Sequence, residues 1–392
     1  MALAEPSSSA ALQGGAVAPV VLAAAAAGLT SFIGLQGGDA DEIFEHCGLA
    51  LDMVTAPTLH LRLDTFCNLF EHAAERTGCD NFGLLFGQQF QPRDLGMWGY
   101  AALSAPTLGS ALETLADLFG YQQSSSTMRF RREDEKRVRL EYQILTPSIV
   151  ARRQDAELSL GQFTNLIREC CGRNWSPAEV QFEHPRPADW RQHALVFGAP
   201  VFFGCPSNAI ILESELLERP MPGRDLKLLS MMRHCLEIVG SRGETDSLFD
   251  RIRSTVRQHL PNGSPTLEAI AETLRTTPTA IRRTLADESL NLREAVDAVR
   301  FQLARHYLLQ RHLPLTEIAL LLGYSELSAF TRAFTRWAGT SPLGYRNGCL
   351  RHSATDSEGR GEAFKAGTFV EKPADERVLA DLASSLATHR AP

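Results

Sequence analysis

Two sets of side chains toward the end of the sequence have types and spacing suited to hydrogen-bonding chemistry against a charged polymer. They are Thr279, Arg282 and Arg283 in the first set and Leu327, Ser328, Thr331 and Arg332 in the second. The guanidinium of arginine is a planar fork of donors that matches a phosphate or the acceptor edge of guanine. Hydroxyls donate or accept, and a leucine side chain suits the methyl group of thymine. At helical spacing each set falls on one face, three and four residues apart. Either set alone would also fit an ordinary solvated helix surface.

The elements that must carry these residues are readable around them. In the run from Pro314 to Pro342, Leu315, Ile318, Ala319 and Leu322 recur at the spacing of one buried helix stripe. Gly323 follows as a left-handed C-cap, and Ser325 is placed to accept from the free N–H groups that open the next helix. In that helix Phe330, Phe334 and Trp337 form the inward stripe, and Leu327, Ser328, Thr331, Arg332 and Thr335 face out. About 48 residues upstream the pattern recurs in weaker form, with Leu267, Ile270, Ala271 and Leu274, then Ile281 and Leu285. Thr277 and Pro278 read as N-cap and first helical residue there. The place of Gly323 is taken by Arg275, whose side chain makes a left-handed conformation costly. Between the copies, Asn291 to Arg311 reads as one helix about 30 Å long with Asn291 as its cap. Half-sites one duplex turn apart lie roughly 34 Å from each other, so two reading units joined by such a helix suit successive major grooves.

Charge distribution agrees with this reading although total charge does not. The 392 residues hold 39 basic against 46 acidic groups, a net of −7. From Asp250 to Leu350 there are 13 Arg, no Lys and 9 acidic residues, a net of +4, which leaves −11 on the rest. A cationic reader on an anionic partner domain is expected when only one of them approaches phosphate. The eight cysteines, Cys47, Cys67, Cys79, Cys170, Cys171, Cys205, Cys235 and Cys349, show no paired-ligand spacing and read as reduced thiols of a cytoplasmic protein. Cys67 with His72, and Cys170 with Cys171, are weighed as metal or redox groups and read instead as small buried hydrophobes; no metal and no cofactor is expected. The start lacks the basic region of a signal peptide, and VLAAAAAGL is too short to span a bilayer, so no membrane association is expected.

Residues 1–16 and 351–392 are low in complexity and read as disordered tails, with a transient helix over Ala374 to Thr388. Between them the N-terminal part mixes helices and strands. Helical patterns begin near Ala18 and continue over Asp41 to Cys47, Leu61 to Arg76, Gly109 to Phe119 and Ala151 to Cys171. Thr127 to Arg132 and Arg137 to Ile144 alternate around the turn EDEK as a hairpin, and Glu179 to Glu183 and Ala209 to Leu212 read as further strands. A helix from Asp225 to Ile238 and the loop SRGETD lead to the reader. No G-x-S-x-G, P-loop or H-E-x-x-H is present, and His184 and His193 read as scattered polar residues, so an enzyme is not expected.

The stretch from Ser264 to Arg346 resembles the DNA-binding domain of AraC/XylS transcriptional regulators. Its most specific part is IALLLGYSELSAFTRAFTRWAGTSPLGYR, which matches the family signature at Gly323, Tyr324, Ser325, Phe330, Arg332, Phe334, Gly339, Pro342 and Tyr345. The resemblance implies base contacts at Thr279, Arg282, Arg283, Leu327, Ser328, Thr331 and Arg332. The N-terminal part is similar to the arabinose-binding-type sensor domain of the ornithine-utilisation regulator group, over DNFGLLFGQQFQPRDLGMWGYAALSAPTLGSAL, ARRQDAELSL and VQFEHPRPAD. That domain name does not specify arabinose as the ligand. Gly96, Gly99 and Gly109 read as close-packing positions, and Met97, Trp98 and Tyr100 as either an effector pocket or plain aromatic core.

The expectation is therefore an α+β sensor domain and an all-α domain with two helix-turn-helix units joined by a long helix. The segments are tails at 1–16 and 351–392, a sensing and dimerisation domain over 17–235, a linker over 236–250 and the DNA-binding domain over 251–350. The function implied is a sequence-specific regulator, an activator by family habit, that is controlled by a small-molecule effector. Its partners would be double-stranded DNA, RNA polymerase and a second copy in a homodimer. The alternative is an effector-independent DNA binder whose first domain only dimerises.

Overall fold

The computed structural model describes residues 18–239 and 247–348. The expected tails, the helix over Ala374 to Thr388, the loop SRGETD and Cys349 lie outside the described residues.

The chain starts with strand β1 (Val20–Leu22), where a helix was expected. Val20–Leu22 pairs antiparallel with His60–Arg62, and Ala23 N–H donates to Leu59 O at 2.8 Å, so long-range pairing satisfies this backbone before a helical turn can. The next four alanines form a buried 3-10 turn, Ala23–Ala26, and regular helix begins only at α1 (Leu29–Leu35). Then come α2 (Ala40–His46), β2 (His60–Arg62), α3 (Leu63–Thr77), α4 (Phe82–Gln89), α5 (Gly96–Leu103) and α6 (Leu108–Gln122). Strands β3 (Ser126–Arg132) and β4 (Arg137–Ile144) form the expected hairpin, whose turn is fixed by Asp134 Oδ1 accepting from Lys136 N and Arg137 N, both at 2.8 Å. Helix α7 (Arg153–Cys171), β5 (Glu179–Phe182), α8 (Arg191–Phe197), β6 (Val201–Phe203), β7 (Asn208–Glu213) and α9 (Leu226–Val239) complete this half. The main sheet runs β3-β4-β7-β5-β6, antiparallel except for the parallel β5–β6 pair.

Helix α7 is the axis of the N-terminal half and is buried continuously from Gln154 to Thr164. It lies unusually close to α4. A Cβ on Gly83 would sit 2.1 Å from Gln154 O, and one on Gly87 2.6 Å from Leu158 O. Of the three glycines read as close-packing positions, Gly99 is held 2.0 Å from Pro92 O on the same measure and Gly109 is 3.2 Å from Leu217. At Gly96 a Cβ would make only ordinary contact, 3.5 Å from Ala24 Cβ, but the backbone φ is +62°. Leu236 of α9 is buried in this first core, so the helix runs through the start of the expected linker.

The C-terminal half consists of α10 (Leu248–His259), α11 (Leu267–Leu274), α12 (Pro278–Asp287), α13 (Leu292–Leu309), α14 (Leu315–Leu321) and α15 (Leu327–Ala338), with a further helical segment over 342–348. A second core gathers Ile270, Ile281, Val299, Leu303, Ile318, Phe330 and Phe334. Helix α13 opens with a reciprocal cap: Glu294 N–H donates to Asn291 Oδ1 at 3.1 Å and Asn291 N–H to Glu294 Oε2 at 2.8 Å. At 18 residues it is about 27 Å long and packs against elements of both units.

Candidate functional site

The two helix-turn-helix units share one turn geometry. In the second, Gly323 N–H donates to Leu320 O and Tyr324 N–H to Ala319 O, both at 2.9 Å. In the first, Arg275 N–H donates to Glu272 O at 3.2 Å and Thr276 N–H to Ala271 O at 2.9 Å. Both are the paired bonds of a Schellman cap. Arg275 does adopt the left-handed conformation, φ +50° and ψ +49°, despite its side chain. The units then diverge by one residue. Thr277 caps α12 by accepting from Ala280 N at 3.2 Å, whereas Ser325 does not cap α15: the helix starts later, after Glu326, and Ser328 Oγ donates to Glu326 Oε2 at 3.0 Å. The extra residue gives α15 a carboxylate at its N-terminus, where the helix dipole favours negative charge.

On α12, Thr279, Arg282 and Arg283 are exposed while Ile281 and Leu285 are buried. On α15, Ser328 and Arg332 are exposed, Thr331 is half-buried, and Leu327 packs partly onto the second core instead of standing free. Phe330 and Phe334 are buried as the inward stripe, and Trp337 packs partly against the same core. Arg332 borders a groove of about 490 Å³ between α13 and α15, with Arg293, Asp297, Arg300 and Arg336 around it. The buried Arg300 was not singled out from sequence, yet it holds the two units together. Its Nε donates to Leu322 O at 2.8 Å in the second turn and its Nη2 to Ser264 Oγ at 3.0 Å ahead of the first unit. Its guanidinium also lies 4.5 Å from the Tyr324 ring centre. An arginine in an otherwise apolar stripe was the only sequence signal for it.

The three effector-pocket residues are not brought together. Trp98 is buried, donates its indole N–H to Leu115 O at 3.1 Å and lines a small cavity beside α7. Met97 packs at the edge of the first core, Tyr100 is 40% exposed, and neither lines that cavity. The cavity's polar wall includes Gln122 and Asp155, which sequence reading did not single out. Burial pushes the Asp155 carboxyl up to about 7, against the pull of the Tyr142 hydroxyl and the Arg152 charge.

The two halves meet through polar contacts. Glu183 Oε1 lies 2.7 Å from Arg152 Nε and 3.6 Å from Arg257 Nη2 of α10, with all three side chains largely buried. Gln258 donates to Gln143 Oε1 at 2.7 Å, Gln302 to Pro147 O at 2.9 Å, and a ring nitrogen of His312 lies 3.0 Å from Arg186 O. Among the described residues no group of three or more His, Cys, Asp or Glu is arranged to hold a metal, and no helix is long and apolar enough to cross a membrane.

Two helix-turn-helix units on one helical body, attached to a separately cored α/β half, have the architecture of a DNA-binding protein. Residues 37–221 match the profile described as the arabinose-binding domain of AraC transcription regulators, N-terminal, and residues 270–348 match a helix-turn-helix domain profile. The ornithine utilization regulator of Pseudomonas aeruginosa is 29% identical over 330 residues, covering 84% of this chain and 97% of its own length. The HTH-type transcriptional regulator VirS of Mycobacterium tuberculosis is 29% identical over 287 residues, 73% of this chain and 84% of its own. Among solved structures, the transcriptional regulator CdpR of Pseudomonas aeruginosa is 27% identical, with 68% of this chain and 86% of that one aligned at a TM-score of 0.31. The chain belongs to the AraC-type transcription regulators, with an arabinose-binding-type N-terminal domain and a helix-turn-helix DNA-binding domain. The relatives named here are regulators, not enzymes.

Proposed function

We propose that this regulator is a cytoplasmic, sequence-specific activator whose N-terminal domain binds a small-molecule effector. It acts as a homodimer and works on RNA polymerase at the promoter. Thr279, Arg282 and Arg283 read one major groove, and Leu327, Ser328, Thr331 and Arg332 read the next. The observation that carries this reading is the repeated turn, two units 48 residues apart with the same cap bonds, each followed by a helix with exposed arginine and hydroxyl groups. Effector control is supported by the buried Arg152–Glu183–Arg257 junction. A ligand acts by favouring one arrangement of two docked halves over another. A relative named for ornithine utilization makes amines and amino acids the first effector classes to try.

The test compares reporter output from the full chain and from the fragment 248–350 across amino acids, amines, polyamines and sugars. The fragment is expected to bind operator DNA without effector and with steep salt dependence, while the full chain responds to one compound class. A full chain that stays flat with every class would leave the N-terminal domain as a dimeriser only.

A further inference from the structure

The interior of the N-terminal half holds polar groups that its own fold leaves unanswered. Gln122, at the end of α6, is 4% exposed, yet neither its Nε2 nor its Oε1 has a hydrogen-bond partner. A buried primary amide left open at both ends is costly, and such groups point to something that binds them. Asp155 lines the same cavity at 2% exposure. It accepts from Tyr142 Oη on Oδ2 at 2.7 Å, and Tyr142 Oη accepts from Gln123 Nε2 at 2.8 Å. Phe66, Trp98, Phe119 and Phe163 form its aromatic walls, and Gln123, Ser159 and Gln162 also line it. The Trp98 ring centre stands 5.6 Å from that of Phe119 and 6.0 Å from that of Phe163, and its N–H is already used by Leu115, so the aromatic wall offers only its π surface.

A carboxylate, an amide with both ends open and a wall of aromatic rings are what an alkylammonium group needs: a counter-charge, an acceptor and polarizable faces. No cationic side chain lines the cavity, so an anionic ligand would be left without a counter-charge and would face the Asp155 carboxyl. We propose that this cavity is the effector site and takes a small organic ammonium compound bearing an oxygen acceptor. The ammonium lies between Asp155 and Gln122 Oε1, and the oxygen accepts from Gln122 Nε2. This rests on the reading of the N-terminal domain as an effector sensor. The arriving cation also compensates the burial that otherwise holds Asp155 largely short of full charge near neutral pH.

The space is about 20 Å³, room for one water molecule or one ammonium group. The rest of the ligand has to displace part of the wall. Two parts of that wall are single 3-10 turns, Ala23–Ala26 and Pro92–Leu95, which contribute Ala25 and Leu95 and lack the regular ladder of the longer helices.

The test uses the full chain with ethanolamine, serinol and choline, and with ethylene glycol and glycolate as neutral and anionic controls. Melting temperature and calorimetric Kd are measured in the parent, Asp155→Asn and Gln122→Leu. At least one ammonium compound is expected to raise the parent's melting temperature while neither control does. In each variant its Kd is expected to rise roughly tenfold to a hundredfold, through loss of the counter-charge in Asp155→Asn and of both amide contacts in Gln122→Leu. Gln122→Leu without ligand is expected to melt higher than the parent, because an apolar side chain replaces an unpaired amide. No shift with any of the three ammonium compounds overturns the ligand class. A Gln122→Leu chain that melts lower, in a protein that responds to none of them, leaves a resident water only. A shift that survives both substitutions moves the ligand elsewhere and leaves effector control standing. Effector control itself falls only if reporter output is flat across the wider panel.

Discussion

Arg275 and Gly323 hold the same place in the two turns and the same left-handed backbone, at φ +50° and +76°. For arginine that conformation costs about 1 kcal/mol or more, so Arg275→Gly is expected to stabilise the reader by about 1 kcal/mol in urea unfolding. Gly323→Ala is expected to destabilise it by more than about 2 kcal/mol, because the strain is joined by a Cβ placed 2.1 Å from Leu260 O. Equal midpoints for the three proteins would show that neither turn limits stability. The glycine was legible in the sequence. The arginine's compliance was not, since it follows from two cap bonds that only the folded turn supplies. Titration at His184 is also a single-residue matter. Burial holds its pKa down to about 4, with Glu157 opposing and Arg153 and His193 assisting. The unfolded ring titrates near 6.5, so the stabilisation is whole above that pH and is lost as pH falls through 6.5 toward 4. Glu157, held at about 2 as Arg153 and His193 outweigh its burial, stays charged across this window. Asp155 and Glu71, both pushed up to about 7 by burial, work in the opposite direction but are common to parent and variant. His184→Gln should therefore lose less stability than the parent between about pH 7 and pH 5, by on the order of 1 to 2 kcal/mol. Parallel pH profiles would show that this ring is not held neutral. Gln122 and Asp155 escaped the sequence reading because each stands among other polar residues, so nothing in the pattern marks which of them turns inward, whereas Trp98 stood out beside its glycines.

Helix α15 divides its two faces among neighbouring residues, and that division was largely legible from helical period alone. Phe334 is fully buried, with ring centres 5.8 Å from Phe301 and Phe330 and 5.4 Å from Tyr345. Phe334→Ala is expected to cost the reader about 3 to 5 kcal/mol. Thr331→Ala should leave melting nearly unchanged and shift sequence preference. Arg332→Ala should weaken operator binding by roughly 1 to 3 kcal/mol with the fold intact. Melting curves and operator titrations separate these outcomes: if Phe334→Ala and Thr331→Ala melt alike, the facing is wrong, and an unchanged footprint for Arg332→Ala removes that contact. Other elements were less legible, for physical reasons. Helices α4 and α5 are interrupted by Gly83, Gly87 and Gly99, which lower local helix preference but let backbones meet. Strands β1 and β6 are three residues each, too short for alternation to show, and exist because partners elsewhere in the chain pair with them. Ser325 resembles Thr277 in sequence, but α15 begins one residue later than the duplication implies.

How the two halves sit on each other could not be read from the sequence, because Arg152, Glu183 and Arg257 come from distant segments and have no pattern in common. Glu183 is the shared member, with Arg152 at 2.7 Å and Arg257 at 3.6 Å, and burial of three charges is tolerated only while each keeps a partner. Burial pulls the Arg257 guanidinium below its usual range and Arg152 adds to this, while Glu183 acts against it. Arg257→Leu keeps much of the packing volume and leaves Glu183 its closer partner, so both cores should still fold. The reader should lose its charged hold on the N-terminal half. Calorimetry is then expected to resolve two transitions where the parent shows one, and the effector-free operator affinity should move toward that of the 248–350 fragment. The effector-dependent ratio of reporter output should fall by about fivefold or more, the low end of typical coupling between sites. The two measurements must agree for the junction to be the coupling element. A variant with separated transitions and an undiminished effector response would make the Arg152–Glu183–Arg257 contact a passive dock, and the coupling would then have to pass through the association of two chains.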